Sequence, residues 1–354
     1  MKQISVGQLA MSFTGVFLGA GFVSGQELWQ FFACFGPLGM LGFLGSAAIF
    51  FLIIYASLQL VRSTGQEDVT WLMTLGDKPR LRLLVSILQT VLLFGVMVIM
   101  IAGASALVKQ LLGIPAPVVG VLFIVIVGLV ALMGMQGMVA TFSLLVPITT
   151  ACAVVLGVTT LIQTGLHFPE PSGSVSVMLP NWVVGFFTYA AYNLFGTICV
   201  LAPMAKLLPK PGMIRQGLGL GCLLLVVMAW SMIAAMLVRP ETGLSELPMA
   251  ELAGSYHSGL AVSYGILMGL GMFSATLSSM IALIEQLELR LPAVKQHHKG
   301  FSLGLLVTAY LGSLLGFGSL IGVVYPFFGY ASIPFLLCIL VNWKRSWKNK
   351  SVMQ

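Results

Sequence analysis

Apolar residues fill this chain in blocks of about 20, the length that crosses roughly 30 Å of hydrocarbon as a helix. Ten such spans are predicted: 8–33, 38–61, 83–112, 117–134, 139–164, 182–208, 213–238, 258–289, 301–317 and 320–342. Pro, Gly or charge separates them, as in Phe-Gly-Pro at 35–37, Gly-Ile-Pro-Ala-Pro at 113–117 and Pro-Lys-Pro-Gly at 209–212. The last break, Gly-Phe-Gly-Ser at 316–319, is the weakest. Without it the count falls to nine and the C-terminus changes sides. Two connections have a pattern of their own. Residues 63–81 can form a short surface helix. Residues 241–256 set Glu241, Glu246 and Glu251 around Leu247, Met249 and Leu252, the pattern of an amphipathic helix. That stretch reads as a lid over the outer face or as an ordinary loop.

Charge orients the spans. With the N-terminus inside, Lys2, Arg62, Lys78, Arg80, Arg82, Lys206, Lys210, Arg215, Arg290, Lys295, Lys299, Lys344, Arg345, Lys348 and Lys350 share the cytoplasmic side. Only Lys109 and Arg239 fall outside. Basic residues gather on the cytoplasmic side of membrane proteins, so the asymmetry supports an even span count with both termini cytoplasmic. The net charge of +7 is thus a topology signal and not a nucleic-acid footprint.

Composition agrees. The chain is 58% hydrophobic and 8% charged over 354 residues; soluble domains carry about 25% charged residues. The start lacks the features of a signal peptide, so the first span is expected to stay in the mature protein. Five cysteines lie in apolar segments without a CxxC, which reads as reduced packing thiols. His167, His257, His297 and His298 sit in loops or at span ends, and no GxSxG, HExxH or P-loop occurs. An enzyme and an ATP-driven pump are therefore not expected.

The first span is irregular. Gly19, Gly21 and Gly25 fall within seven residues, and Gln26 and Glu27 follow at once. Each glycine weakens a helix by about 1 kcal/mol relative to alanine. Gly21-x-x-x-Gly25 also fits close helix packing. A carboxylate at membrane depth favours the other reading, an unwound segment lining a protein cavity. Freed carbonyls there can hold a cation, and the next helix start can hold an anionic group. Glu27 has no basic partner within any span. It reads as a cation ligand, a protonatable coupling group or a structural hydrogen-bonding group.

Two further spans carry polar faces. In span eight, Ala275, Ser278 and Ser279 share one helical face and offer a carbonyl and two hydroxyls to a hard cation. Serines in membrane helices also bond their own i−4 carbonyls. Span six, Thr-Tyr-Ala-Ala-Tyr-Asn-Leu-Phe-Gly-Thr at 188–197 with Pro203 beyond, is expected to be interrupted. There Tyr189, Tyr192, Asn193, Gly196 and Thr197 could shape and hydrogen-bond a small ligand. Gln89 and Thr90 in span three are expected to be solvated. Tyr325, Pro326, Gly329, Tyr330 and Pro334 mark span ten as kinked.

Ten spans divide into two fives about residue 177, so the second half is inverted. Inverted halves with broken first helices belong to one secondary-transporter architecture. The glycine-broken first helix, the sixth span and Ala-x-x-Ser-Ser resemble the amino acid–polyamine–organocation superfamily, which includes leucine-transporter-like sodium symporters. Over essentially the whole chain the sequence is similar to bacterial YkvI-like membrane proteins.

The resemblance implies an all-α integral membrane fold of ten transmembrane helices, a 5+5 inverted repeat with helices 1 and 6 discontinuous. The units are 1–165, a connecting loop 166–181, 182–342 and a cytoplasmic tail 343–354. It also implies a sodium site from the carbonyls of Gly19 and Phe22, or of Ala20 and Val23, with Ala275, Ser278 and Ser279. The substrate site implied between spans one and six takes in Ala20, Gly21, Ser24, Gly25, Gln26, Glu27, Tyr189, Tyr192, Asn193, Gly196 and Thr197. Glu27 stands where these families seldom carry an acid, so an amino-acid substrate does not transfer directly. The expected function is secondary transport of a small organic solute, an amino acid or an amine, across the bacterial inner membrane, with sodium as coupling ion and no other cofactor. Proton coupling through Glu27 is the alternative. A sensor or channel is the reading from another class, against which stand the missing output domain and pore rings. Lipid and a small-molecule substrate are the expected partners, nucleic acid is not, and the oligomeric state is open.

Overall fold

A capping box starts the chain's first helix: Ser5 Oγ accepts from Gln8 N–H, and Gln8 Oε1 accepts from Ser5 N–H. The computed structural model describes residues 4–66, 68–131, 136–165, 167, 168, 173, 176–208, 210, 212–288 and 291–352. Helix α1 (Val6–Phe17) is followed by two short pieces, α2 (Ala20–Val23) and α3 (Gln26–Phe31), and a 3-10 turn at Ala33–Phe35. Then come α4 (Pro37–Thr64), α5 (Val69–Leu72), α6 (Pro79–Leu112), α7 (Ala116–Ala131) and α8 (Gln136–Thr164). The second half holds α9 (Trp182–Leu201) with a 3-10 extension Ala202–Leu207, α10 (Gly212–Val238), a 3-10 turn Pro240–Leu244 and α11 (Pro248–Tyr256). It ends with α12 (Ser258–Glu288), α13 (Pro292–Gln296), α14 (His298–Ser313) and α15 (Phe317–Val352). Among the described residues there is no strand.

The predicted punctuation does its work. Helices α4 and α6 begin on Pro37 and Pro79 and stop at left-handed glycines, Gly65 and Gly113. Proline lacks a donor that the first turn does not need, and glycine adopts the capping φ without a Cβ clash. Seven helices are long and apolar enough to cross a membrane among the described residues: α4, α6, the 146–164 part of α8, α9, α10, α12 and the 317–346 part of α15. α1 and α7 are shorter apolar helices.

One expectation fails. The sixth span is not interrupted at 188–197, because α9 runs as regular helix from Trp182 to Leu201. A single glycine, Gly196, costs a helix only about 1 kcal/mol. The change to 3-10 geometry comes at Ala202, where Pro203 cannot donate an i→i−4 bond. The loop 63–81 also differs from a surface helix. It holds only the single turn α5, capped by Asp68, and Leu72, Met73 and Thr74 are buried. Asn342 Nδ2 fastens it by donating to Leu72 O and Thr74 O.

α12 packs along α6, α15 along α9, and α10 against α8, α1 and α4. Between them lies an aromatic core that includes Phe13, Phe17, Phe22, Phe31, Phe32, Phe43, Phe50 and Tyr189, all buried. Lipid supplies no hydrophobic drive between helices, so such interlocking by close contact is what holds them together. The three pieces of the first span thread this core.

Candidate functional site

The site is built on the two interruptions between α1 and α3. α1 closes with Leu18 N–H donating to Gly15 O, and the Leu18 carbonyl lies against α12 at Gly271. α2 makes one turn, held by Val23 N–H to Gly19 O. The second interruption turns on Gly25, whose φ of 83° would strain any other residue. Its backbone groups have found protein partners. Val23 O accepts from Tyr264 Oη (3.0 Å), Ser24 O from Met249 N–H (2.9 Å) and Phe22 O from Gly25 N–H (3.0 Å). Ser24 Oγ donates to Gly21 O and accepts from Gln26 N–H. The amphipathic 241–256 stretch thus seats its α11 on this break, with Pro248 and Met249 against Gly25.

Glu27 lies in the first turn of α3 and is 4% exposed. Gly21 makes its place: a Cβ there would overlap the Glu27 side chain. Tyr192 Oη donates to Glu27 Oε2 at 2.6 Å, in the short range of hydroxyl–carboxylate bonds. The Tyr192 ring stacks on Tyr325 (centroids 4.4 Å, 11°) and meets Tyr189 edge-on (5.6 Å, 89°). Tyr189 Oη, buried beside them, makes no hydrogen bond of good geometry, though Glu27 is its electrostatic neighbour. Among the described residues no Lys, Arg or His pairs with Glu27.

A cavity of about 100 Å³ opens beside this carboxylate, where α1, α6, α9, α12 and α15 meet. It brings together Gly19, Glu27, Tyr192, Asn193, Gly196, Thr197, Ala275, Ser278 and Ser279, nine of the residues singled out in the sequence. Asn193 Nδ2 donates to Tyr189 O, and Ser278 Oγ to Ser274 O, which still leaves lone pairs for a cation. The remaining candidates have other positions. Gly21 and Tyr189 support Glu27 from behind, while Ser24 and Gly25 form the sealed break. Gln26 faces α15 at Gly318. Phe22 is not among the residues lining the cavity; its ring lies against Phe43 (6.1 Å) and its carbonyl accepts from Gly25 N–H. Ala20 opens α2, and its side chain lies outside the described residues.

Sequence reasoning missed the α6 wall (Leu92, Leu93, Val96, Met100), Gly15, Val16, Phe17 and Val200, and it named Tyr325 only for the kink of span ten and not for the cavity. Gln89, expected to be solvated, is 1% exposed and reaches Phe195 O. Also missed was a void of about 10 Å³ under the first interruption, between Gly15, Leu18, Val23, Val146, Thr149, Leu267, Gly271 and Ser274. That is the size of one water or small ion. Thr149 and Ser274 give it hydroxyls, and Val23, one of the alternative register residues, lines it.

No family model matches the chain. It is similar to the membrane protein YkvI of Bacillus subtilis (strain 168), with 26% identity over 346 residues, 95% of both chains. Among solved structures it resembles the inward-facing conformation of Mhp1, with a TM-score of 0.61 and 15% identity over 96% of this chain and 77% of that one. A mutant of the Eremococcus coleocola manganese transporter gives a TM-score of 0.54 at 12% identity, over 96% and 95%. The fold is leucine-transporter-like. Superpositions of this quality at such low identity show the fold alone and leave the chemistry to the site. The resemblance to YkvI-like proteins and to the leucine-transporter fold, read from the sequence, therefore stands.

Proposed function

We propose that this chain is a secondary active transporter that works by alternating access and binds a small organic solute carrying a protonated amine beside Glu27. The observation that carries this reading is a buried carboxylate with no basic partner among the described residues, at a helix interruption, open to a cavity and bordered by stacked tyrosine rings. A buried charge is retained only where something compensates it, and a cation also gains from the face of an aromatic ring. Amines and amino acids both bring that group. A cavity of about 100 Å³ admits only a small one. A metal cargo has less support, since among the described residues no three His, Cys, Asp or Glu gather.

The architecture belonging to this proposal has ten crossings in two inverted fives, with both termini on the cytoplasmic side of a bacterial inner membrane. It counts α1–α3 as one broken crossing and α7 and α14 as short ones. Sodium is the first choice of coupling ion. Oxygens of Ser278 and Ser279 on the cavity, or of Leu18, Thr149 and Ser274 around the small void, suit it. A proton carried by Glu27 is the second choice.

Thermal unfolding of the purified protein against small amines and amino acids, in sodium and in potassium, tests the reading. At least one amine should raise Tm in the wild type and leave Glu27→Gln unmoved. If sodium raises neither Tm nor amine binding, and Ser274→Ala and Ser278→Ala behave as wild type, sodium coupling falls. Saturable uptake into vesicles separates a transporter from a channel or a binding-only sensor.

A further inference from the structure

The seam between α8 and α12 holds a groove of about 540 Å³ bordered by α11. Short side chains leave it unfilled: Ala151 and Cys152 of α8, Ala253 of α11 and Ser263 of α12. It opens sideways out of the protein. Val155 and Leu260 on its rim are exposed, and so are the neighbouring Val158, Ile162, Val262 and Ile266. Both α8 and α12 are long and apolar enough to cross a membrane, so this side meets lipid. Along α8 the lining runs from Ala151 to Gln163, about 18 Å at roughly 1.5 Å per residue. One leaflet of hydrocarbon is about 15 Å deep, half of a core of roughly 30 Å.

A cation stands where α8 ends, one residue beyond Gln163. Arg239 Nε donates to Thr164 Oγ1 (3.5 Å), and its Nη1 lies 3.6 Å from Glu241 Oε1. That ion pair is solvent-exposed and holds weakly, and a guanidinium has five donors, so N–H groups remain for a phosphate. Tyr256 also lines the groove, and its buried Oη has no hydrogen-bond partner. An apolar trough one leaflet deep, open to lipid and with a guanidinium at its end, has the chemistry of one lipid molecule. We propose that the α8–α11–α12 groove binds an acyl chain of an anionic glycerophospholipid, with the phosphate at Arg239 and an ester carbonyl at Tyr256 Oη. The occupant bears on the broken helix. Tyr264 lines the groove and donates to Val23 O, and α11, which carries Tyr256, gives the Met249 N–H to Ser24 O. A chain in the groove backs both donors and braces the seal. The site is independent of the solute proposed beside Glu27.

The test uses the full chain reconstituted in vesicles containing a phosphatidylglycerol with a photoreactive diazirine on one acyl chain. After irradiation, peptides covering 151–163 and 253–264 should hold at least fivefold more label per residue than α7. The exposed Val118, Leu122 and Val125 of α7 report ordinary lipid contact. Even labelling overturns the site. A diacylglycerol with the same diazirine chain should lose at least half of the surplus, and so should Arg239→Gln with the phosphatidylglycerol. An undiminished surplus in either overturns the phosphate at Arg239. Val155→Trp with Leu260→Trp fills the groove from its lipid side and should abolish the surplus. Leu223→Trp, on an exposed position of α10, should leave it intact. A surplus that survives the tryptophan pair rejects the groove. In detergent, added phosphatidylglycerol should slow amide exchange across 248–256 at least threefold in the wild type and not in the tryptophan pair. Equal exchange with and without the lipid rejects the brace on the seal.

Discussion

At the residue scale the decisive relation is between Gly21 and Glu27, six positions apart and in contact. A methyl group at 21 cannot coexist with the carboxylate in its present position. Gly21→Ala should therefore destabilise the fold by about 1–3 kcal/mol, as overpacking does, and uncouple Glu27 from Tyr192. Tyr192→Phe removes only the hydrogen bond, worth about 1.5–3 kcal/mol for a charged partner, and leaves the ring stack in place. Chemical denaturation and amine binding of both variants check this. Loss of binding in Gly21→Ala with a wild-type Tyr192→Phe would show that the bond does not position the carboxylate. Both Gly21 and Glu27 were legible in the sequence, because a glycine cluster and a bare acid in an apolar span each break a rule. The α6 wall was not legible. Leu92, Val96 and Met100 look like any lipid-facing residues, and only tertiary packing assigns them to a cavity.

At the element scale, the second interruption of the broken helix is sealed by two donors from distant segments, Tyr264 of α12 and the Met249 amide of α11. Gly25→Ala meets both the left-handed φ, which costs an L-residue roughly 1–2 kcal/mol, and the Met249 side chain 2.9 Å away. Hydrogen exchange should rise across 248–256 in that variant and in Tyr264→Phe, with α4 unchanged as internal control. Unchanged exchange at α11 would mean that the contact does not hold the seal. The sequence predicted an amphipathic segment at 241–256 but not its seat, since neither Tyr264 nor Ser24 advertises a partner more than 220 residues away. The sixth span was misread for a related reason. Its Tyr, Asn and Thr residues mark a helix face turned to a cavity, and a polar face resembles a break when only composition is visible.

At the scale of the molecule, charge asymmetry predicts sidedness. In a cysteine-free background, Leu244→Cys, in an exposed connection, should react with an impermeant maleimide on intact cells. Gln66→Cys, exposed beyond α4, should react only after permeabilisation. Reaction of both from outside would remove the inverted-repeat topology. The all-helical membrane class was readable from span length and punctuation, and the leucine-transporter-like fold from the resemblance of the motifs. The number of crossings was less so, because α1–α3 are broken and α7 is only 16 residues long.

On the transporter reading proposed above, the absence of a basic partner for Glu27 among the described residues has a kinetic consequence. A carrier must pass through a state closed on both sides, and there the carboxylate has to be balanced by whatever the site holds. With solute or a proton aboard, the passage is open. With the site vacant, it requires a desolvated charge at membrane depth, which costs several kcal/mol. Such a protein turns over far more readily by swapping one occupant for another than by returning empty. Solute on the far side should then accelerate uptake from the near side, and net accumulation should lag behind exchange.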